Sequence, residues 1–296
     1  MPLCRIPESS GIRLPGMNFM FLYFYSVLQG IVQGITELLP VSSTAHLKIM
    51  NRIVAACGGT SPSANFNNMF DVVIQLGSIL AFLVYFHEKL IPRDLFRDKA
   101  VFRKTFLLWF KSGIGLIPTA VAGFLCADYV EGLGLKTFIS ALFIGGVILL
   151  FLESRKSEDG AKITDIGKFS IARSFGVGCF QCLALIPGTS RSAATIIGGL
   201  VLGASRPLAV EFSFFLAIPT MVAASGYSLL KHGASLSAGE WGAVGIGFIV
   251  SFFVSWLTVI FFMKYIRTKD LKPFGWYRIA LSIVLAGLLA RGILMN

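Results

Sequence analysis

The 296-residue chain is 55% hydrophobic, 14% charged and carries a formal net charge of +11, with a mean hydropathy of +0.77. Soluble domains carry about 25% charged residues, so this chain cannot cover a water-facing surface, and several of its apolar runs approach the roughly 20 residues that cross a bilayer. A soluble enzyme, a secreted disulfide scaffold and a disordered chain are excluded, and an all-α polytopic membrane protein is expected. The basic excess sits in short loops between apolar runs, the pattern that orients membrane proteins; with no basic face on a reading module, it does not point to nucleic acid.

Residues 1–17 hold three prolines and no periodicity. They read as a disordered N-terminal extension, with Met17 or Met20 as candidate starts. Segment 19–53 is apolar but broken at Pro40, and is either a re-entrant hairpin or two spans. Full spans are expected over about 68–87, 106–126, 137–153, 208–230, 240–263 and 277–294. The loops 88–104, 153–173 and 264–278 are basic, the last through Lys264, Arg267, Lys269, Lys272 and Arg278, whereas 127–136 and 231–240 hold one lysine each, Lys136 and Lys231. The basic loops are expected in the cytoplasm and the poor ones outside.

That alternation makes segment 174–207 begin and end on the cytoplasmic side. It is interrupted by Pro187-Gly188-Thr189-Ser190-Arg191-Ser192, and its first arm, 174–186, reaches only about 20 Å as a helix. A re-entrant broken-helix hairpin fits better than two spans. The fold expected is therefore about six transmembrane helices plus two such hairpins, or eight spans.

The two breaks can be overlaid proline on proline, Glu37 to Ala45 on Ala184 to Ser192, and downstream Asp71 matches Glu211. The acid-bearing spans run in opposite directions by the charge reading, which describes an inverted-topology repeat. The domains expected are a first repeat over 18–153, a cytoplasmic linker over 154–173 and a second, inverted repeat over 174–296, each repeat a hairpin plus three spans.

Chemistry concentrates at the breaks. A proline disfavours helix before it and can open a new one after it, which places Ser42, Ser43 and Thr44 in one first turn and Thr189, Ser190, Arg191 and Ser192 in another. Helix N-termini carrying hydroxyls suit anions, and a buried arginine matches two phosphate oxygens with its fork. Gln33 and Glu37 share a helix face. Glu37 is either the counter-ion of Arg191 or a carboxylate that holds a divalent cation or handles a proton. His46 follows Ser43 by three residues and is a candidate acid, base or nucleophile. Asp71 and Glu211 are either supports for the hairpins or helix caps, and His87 and His232 sit at span ends. Cys4, Cys57 and Cys126 are scattered, and Cys179 and Cys182 lie in an apolar stretch with no second pair, which favours helix packing over redox or metal chemistry.

Gln33-Gly-Ile-Thr-Glu37-Leu-Leu-Pro40-Val-Ser-Ser-Thr-Ala-His46 resembles the first signature of the undecaprenyl-diphosphate phosphatases, also called bacitracin-resistance proteins, and Pro187-Gly-Thr-Ser-Arg-Ser-Ala-Ala-Thr195 resembles their second. Asp71 to Gly77 and Glu211 to Pro219 extend the likeness, which runs from about residue 18 to the end. Ala45 and Ala193 stand where the motifs commonly have glycine, and Gln33 where the family has Glu or Gln.

The resemblance implies an integral-membrane hydrolase in the bacterial cytoplasmic membrane, its active site opening to the external face. It would cleave undecaprenyl diphosphate to the monophosphate and inorganic phosphate, recycling the carrier for peptidoglycan and conferring bacitracin resistance. It further implies a divalent cation, Mg²⁺ or Ca²⁺, near Gln33 and Glu37. The site residues carried over are Glu37, Ser43, His46 and Arg191, with Ser42, Thr44, Thr189, Ser190 and Ser192 around the phosphates. Ser43 is the first choice of nucleophile, with His46 or water as rivals. The partners expected are the polyprenyl diphosphate and the bilayer; a homodimer is left open. The other-class reading is a secondary transporter or flippase of a lipid phosphate, since broken helices in inverted repeats also build carriers.

Overall fold

The computed structural model describes residues 19–56, 64–155, 163–232 and 236–292. The expected N-terminal extension, Cys4, Cys57, residues 156–162 of the expected linker and the side chain of His232 lie outside that description. The described residues form α1 (Phe19–Thr36), α2 (Ser43–Ala56), α3 (Ala64–Tyr85), α4 (His87–Leu90), α5 (Lys99–Glu131), α6 (Leu135–Arg155), α7 (Ile171–Cys182), α8 (Arg191–Val201), α9 (Arg206–His232), α10 (Ala238–Ile266) and α11 (Lys272–Ala290). Among them there is no strand, only an isolated bridge between Ile163 and Ala204. Helices α5, α6, α9, α10 and α11 are each long and apolar enough to cross a membrane. The protein is an all-α polytopic membrane protein.

The expected span at 68–87 is α3, Ala64–Tyr85. Local signals start several helices. Asp98 caps α5 by accepting from Ala100 N, Ser170 caps α7 by accepting from Arg173 N, and Ser237 and Glu240 close a capping box on α10. Each satisfies amide groups that a helix start leaves without partners.

The two halves are interlaced. α1 and α3 of the first half pack on α10 of the second, α7 and α9 of the second pack on α5 of the first, and α6 meets α11. Exchanging residues 19–155 with residues 171–290 maps these pairs onto one another. Small residues let the backbones approach. A Cβ at Gly30 would lie 2.8 Å from Gly247 O, one at Gly77 2.6 Å from Phe248 O, and one at Gly178 2.1 Å from Gly115 O. Hydroxyls tie the same seams: Ser78 and Ser251 are 3.0 Å apart, and Ser255 donates to Gly34 O at 3.2 Å. At the basic end Arg206 pairs with Glu153 at 2.7 Å, and buried Lys111 donates to Ile166 O at 2.8 Å.

These seams have no room for a methyl group. Gly178→Ala should therefore lower stability by about 1–3 kcal/mol, read as a fall in thermal midpoint in detergent. Gly113→Ala, whose added Cβ would meet nothing within 4 Å, should leave the midpoint unchanged or raise it.

Candidate active site

Both broken segments leave the helix just before the functional residues. In the first, Glu37 N still donates to Gln33 O at 2.9 Å, the chain then turns, and α2 opens at Ser43. In the second, α7 tightens into a 3₁₀ turn over Leu183–Leu185, and the chain passes Pro187 before α8 opens at Arg191. The residue before each new helix is a serine in the left-handed region, Ser42 with φ 74° and Ser190 with φ 71°, a conformation that costs an L-residue roughly 1–2 kcal/mol. Ser190 caps α8 by accepting from Ala193 N at 3.3 Å.

This geometry corrects the overlay of the breaks. Ser42 corresponds to Ser190, Ser43 to Arg191 and Ala45 to Ala193, one residue away from the proline-on-proline register. The second break has an extra residue after its proline, Gly188 with φ 93°. A Cβ there would lie 2.2 Å from Phe138 O, so only glycine fits.

The breaks bring the expected residues together around one carboxylate. Ser43 Oγ donates to Glu37 Oε2 at 2.6 Å, Gln33 Nε2 donates to the same oxygen at 3.0 Å, and Arg191 Nη2 donates to Glu37 Oε1 at 3.0 Å. Glu37 and Arg191 thus form an ion pair with side chains 5% and 12% exposed. The counter-ion reading of Glu37 is realised, and the same carboxylate holds the serine. Arg191 also donates to Ser213 O at 3.2 Å, and Ser192 Oγ bridges the breaks by donating to Leu39 O at 2.9 Å. Ser190 and Ser192 are in hydroxyl contact at 3.1 Å. Ser42 is buried, Thr44 is exposed on the first turn of α2, and the Thr189 carbonyl accepts from Arg278 at 2.9 Å.

His46 stands one turn along α2. Its Nδ1 donates to Ser42 O at 2.8 Å, and its Nε2 meets the Tyr277 hydroxyl at 2.6 Å. A carbonyl only accepts, so Nδ1 carries the proton and Nε2 of the neutral ring accepts from Tyr277. The two rings are also stacked, 5.6 Å between centroids at 9°. Tyr277 carries no motif signal, being one aromatic of an apolar span.

Arg278 closes the basic segment 264–278 in the sequence, but in the structure it does not belong to a loop. It lies within α11, fully buried, its guanidinium donating to Pro40 O at 3.3 Å, Gly188 O at 3.4 Å, Thr189 O at 2.9 Å and Ala141 O at 3.4 Å. One side chain thus holds carbonyls of both breaks. The loop count missed it because charge counting ignores where a helix begins.

Other candidates lie elsewhere. Glu211 pairs with Lys89 at 2.7 Å rather than with the hairpin, and Asp71 on α3 has Lys48 of α2 as its electrostatic neighbour. His87 is exposed and bonds Val84 O. Cys126, Cys179 and Cys182 are free thiols.

Comparison with known proteins gives the family. The description of the family "Bacitracin resistance protein BacA" matches residues 26–284. The chain belongs to this family. It is 46% identical over 263 residues to undecaprenyl-diphosphatase 1 of Clostridioides difficile, covering 88% of this chain and 94% of that protein. It is 42% identical over 274 residues to the undecaprenyl-diphosphatase of Enterococcus faecalis, covering 90% and 98%, and 41% identical over 269 residues to that of Lactiplantibacillus plantarum, covering 89% and 96%. The BacA match spans both breaks and extends into α11 as far as residue 284, so it includes Tyr277 and Arg278.

Removing one member of a buried ion pair leaves the other unneutralised. Glu37→Gln should cost about 3–5 kcal/mol, and adding Arg191→Gln should restore part of that loss. A double-mutant cycle on thermal midpoints checks this coupling; additive effects would contradict it.

Proposed function

We propose that this chain hydrolyses undecaprenyl diphosphate to undecaprenyl phosphate and inorganic phosphate in the bacterial cytoplasmic membrane, with its site open to the external face. The observation that carries the reading is the hydrogen bond from Ser43 Oγ to Glu37 Oε2 at 2.6 Å, on a carboxylate that is itself ion-paired to Arg191. A hydroxyl on a carboxylate is an activated nucleophile, and the arginine beside it matches the charge of a phosphoryl group. The relatives' names supply the substrate. The contrast in the sequence between the basic loops and the poor ones supports the orientation.

In this reading Ser43 Oγ attacks the terminal phosphorus as its proton passes to Glu37. The bond from that phosphorus to the bridging oxygen breaks, and the lipid leaves as its monophosphate. Water then attacks the phosphoserine, returning the serine its proton and releasing inorganic phosphate. Arg191 and the amide groups at the starts of α2 and α8 hold the phosphoryl oxygens. Occupation of both His46 ring nitrogens, by Ser42 O and by Tyr277, favours a positioning role for this histidine over direct attack.

The divalent cation that the family resemblance implies has a fitting donor. Gln33 Oε1 is buried and accepts no hydrogen bond, and beside the Glu37 carboxylate it offers the oxygen ligands that Mg²⁺ and Ca²⁺ prefer. Among the described residues no group of three or more His, Cys, Asp or Glu forms a metal cage, so substrate phosphates and water would complete the shell. When bound, the ion supplies charge neutralisation on the diphosphate.

The test is phosphate release from a C55 diphosphate by the protein purified in detergent, with and without EDTA. EDTA should suppress release, Ser43→Ala should lower kcat at least about 100-fold with little change in KM, and Arg191→Ala should both raise KM and lower kcat. Near-normal turnover by Ser43→Ala would eliminate the serine nucleophile. No release by folded wild type, together with movement of the lipid across vesicles, would replace the hydrolase with a carrier.

A further inference from the structure

Arg278 is 0% exposed, and none of the ion pairs among the described residues includes it. Its guanidinium rests on four backbone carbonyls, three of them from the breaks, and its Nε has no partner. The space is built for it: a Cβ at Gly145 would lie 2.4 Å from Arg278 Nη2. A cation held inside an apolar bundle is expensive unless something anionic answers it. Carbonyl dipoles offset only part of that cost. Arg191, by contrast, is already neutralised by Glu37.

From this we infer that Arg278 is a positioning residue that makes the site an anion receptor. It supplies the positive charge left over once Glu37 and Arg191 cancel, and it fixes the peptides between which the diphosphate sits. The second part follows from peptide geometry. A trans peptide carries its N–H opposite its carbonyl; with Thr189 O drawn to Arg278 at 2.9 Å, the N–H of Ser190 faces away from Arg278, at the start of α8. The inference rests on the phosphatase reading but adds a group outside both motifs, contributed by α11.

The experiment compares Arg278→Gln, which removes the charge, with Arg278→Lys, which keeps it. It reads KM and kcat for the C55 diphosphate, the inhibition constant of inorganic pyrophosphate, and the thermal midpoint. Arg278→Gln should raise KM and the inhibition constant by about tenfold or more, the scale of one lost charge-assisted contact, and Arg278→Lys should recover most of that rise. A merely structural arginine would lower the midpoint and the active fraction in both variants with KM and the inhibition constant unmoved, and that result overturns the inference. If Arg278→Gln does not fold, Gly145→Ala carries the test by pushing the fork off the break carbonyls. It should raise KM about threefold or more, and an unchanged KM overturns the inference equally. A wild type that releases no phosphate would instead sink the phosphatase reading itself.

Discussion

Backbone that leaves the helix inside an apolar bundle has no water to turn to, so its freed amides and carbonyls must find partners within the protein. Two such interruptions meet here, and polar side chains from both of them and from α11 answer them. Ser192 takes Leu39 O, His46 takes Ser42 O, and Arg278 takes the carbonyls of Pro40, Gly188 and Thr189. The polar residues concentrated at the breaks therefore serve the fold first. What remains over, a hydroxyl on a carboxylate and an excess of positive charge, is what the proposed mechanism uses.

Glu37 joins these roles. Its two oxygens receive Ser43, Gln33 and Arg191, so one carboxylate sets the hydroxyl, orients the amide and neutralises the arginine. In the proposed mechanism an arriving phosphoryl group competes with Glu37 for Arg191. In the resting site that cation is held in place, partly buried and paired, so no large reorganisation is needed when charge develops on the substrate.

Much of this was legible in the sequence, and the reason is solvation. Polar and charged residues in apolar runs stand out because a membrane makes them expensive, which is why Glu37 and Arg191, with Gln33 and Ser43 beside them, are legible at the breaks that the structure brings together. Arg278 carried the same signal but sat at the edge of a run, where a loop count absorbed it; the helix in fact opens at Lys272. Tyr277 was invisible because an aromatic in a span is ordinary. The register of the two breaks was misjudged because prolines mark where helix is forbidden, whereas the serines with positive φ mark where the next one starts. The extra Gly188 separates these two landmarks.

The interlaced packing reaches beyond the site, to how the chain is made. Because α1 and α3 lean on α10, and α7 and α9 lean on α5, neither half owns a complete set of neighbours. During synthesis the amino-terminal helices enter the bilayer before their partners exist, and their glycine-lined grooves must wait in lipid until the second half emerges. Assembly is thus a late, global event rather than a succession of finished domains. Severing the chain between α6 and α7 would yield two fragments that complete each other and fold only in company.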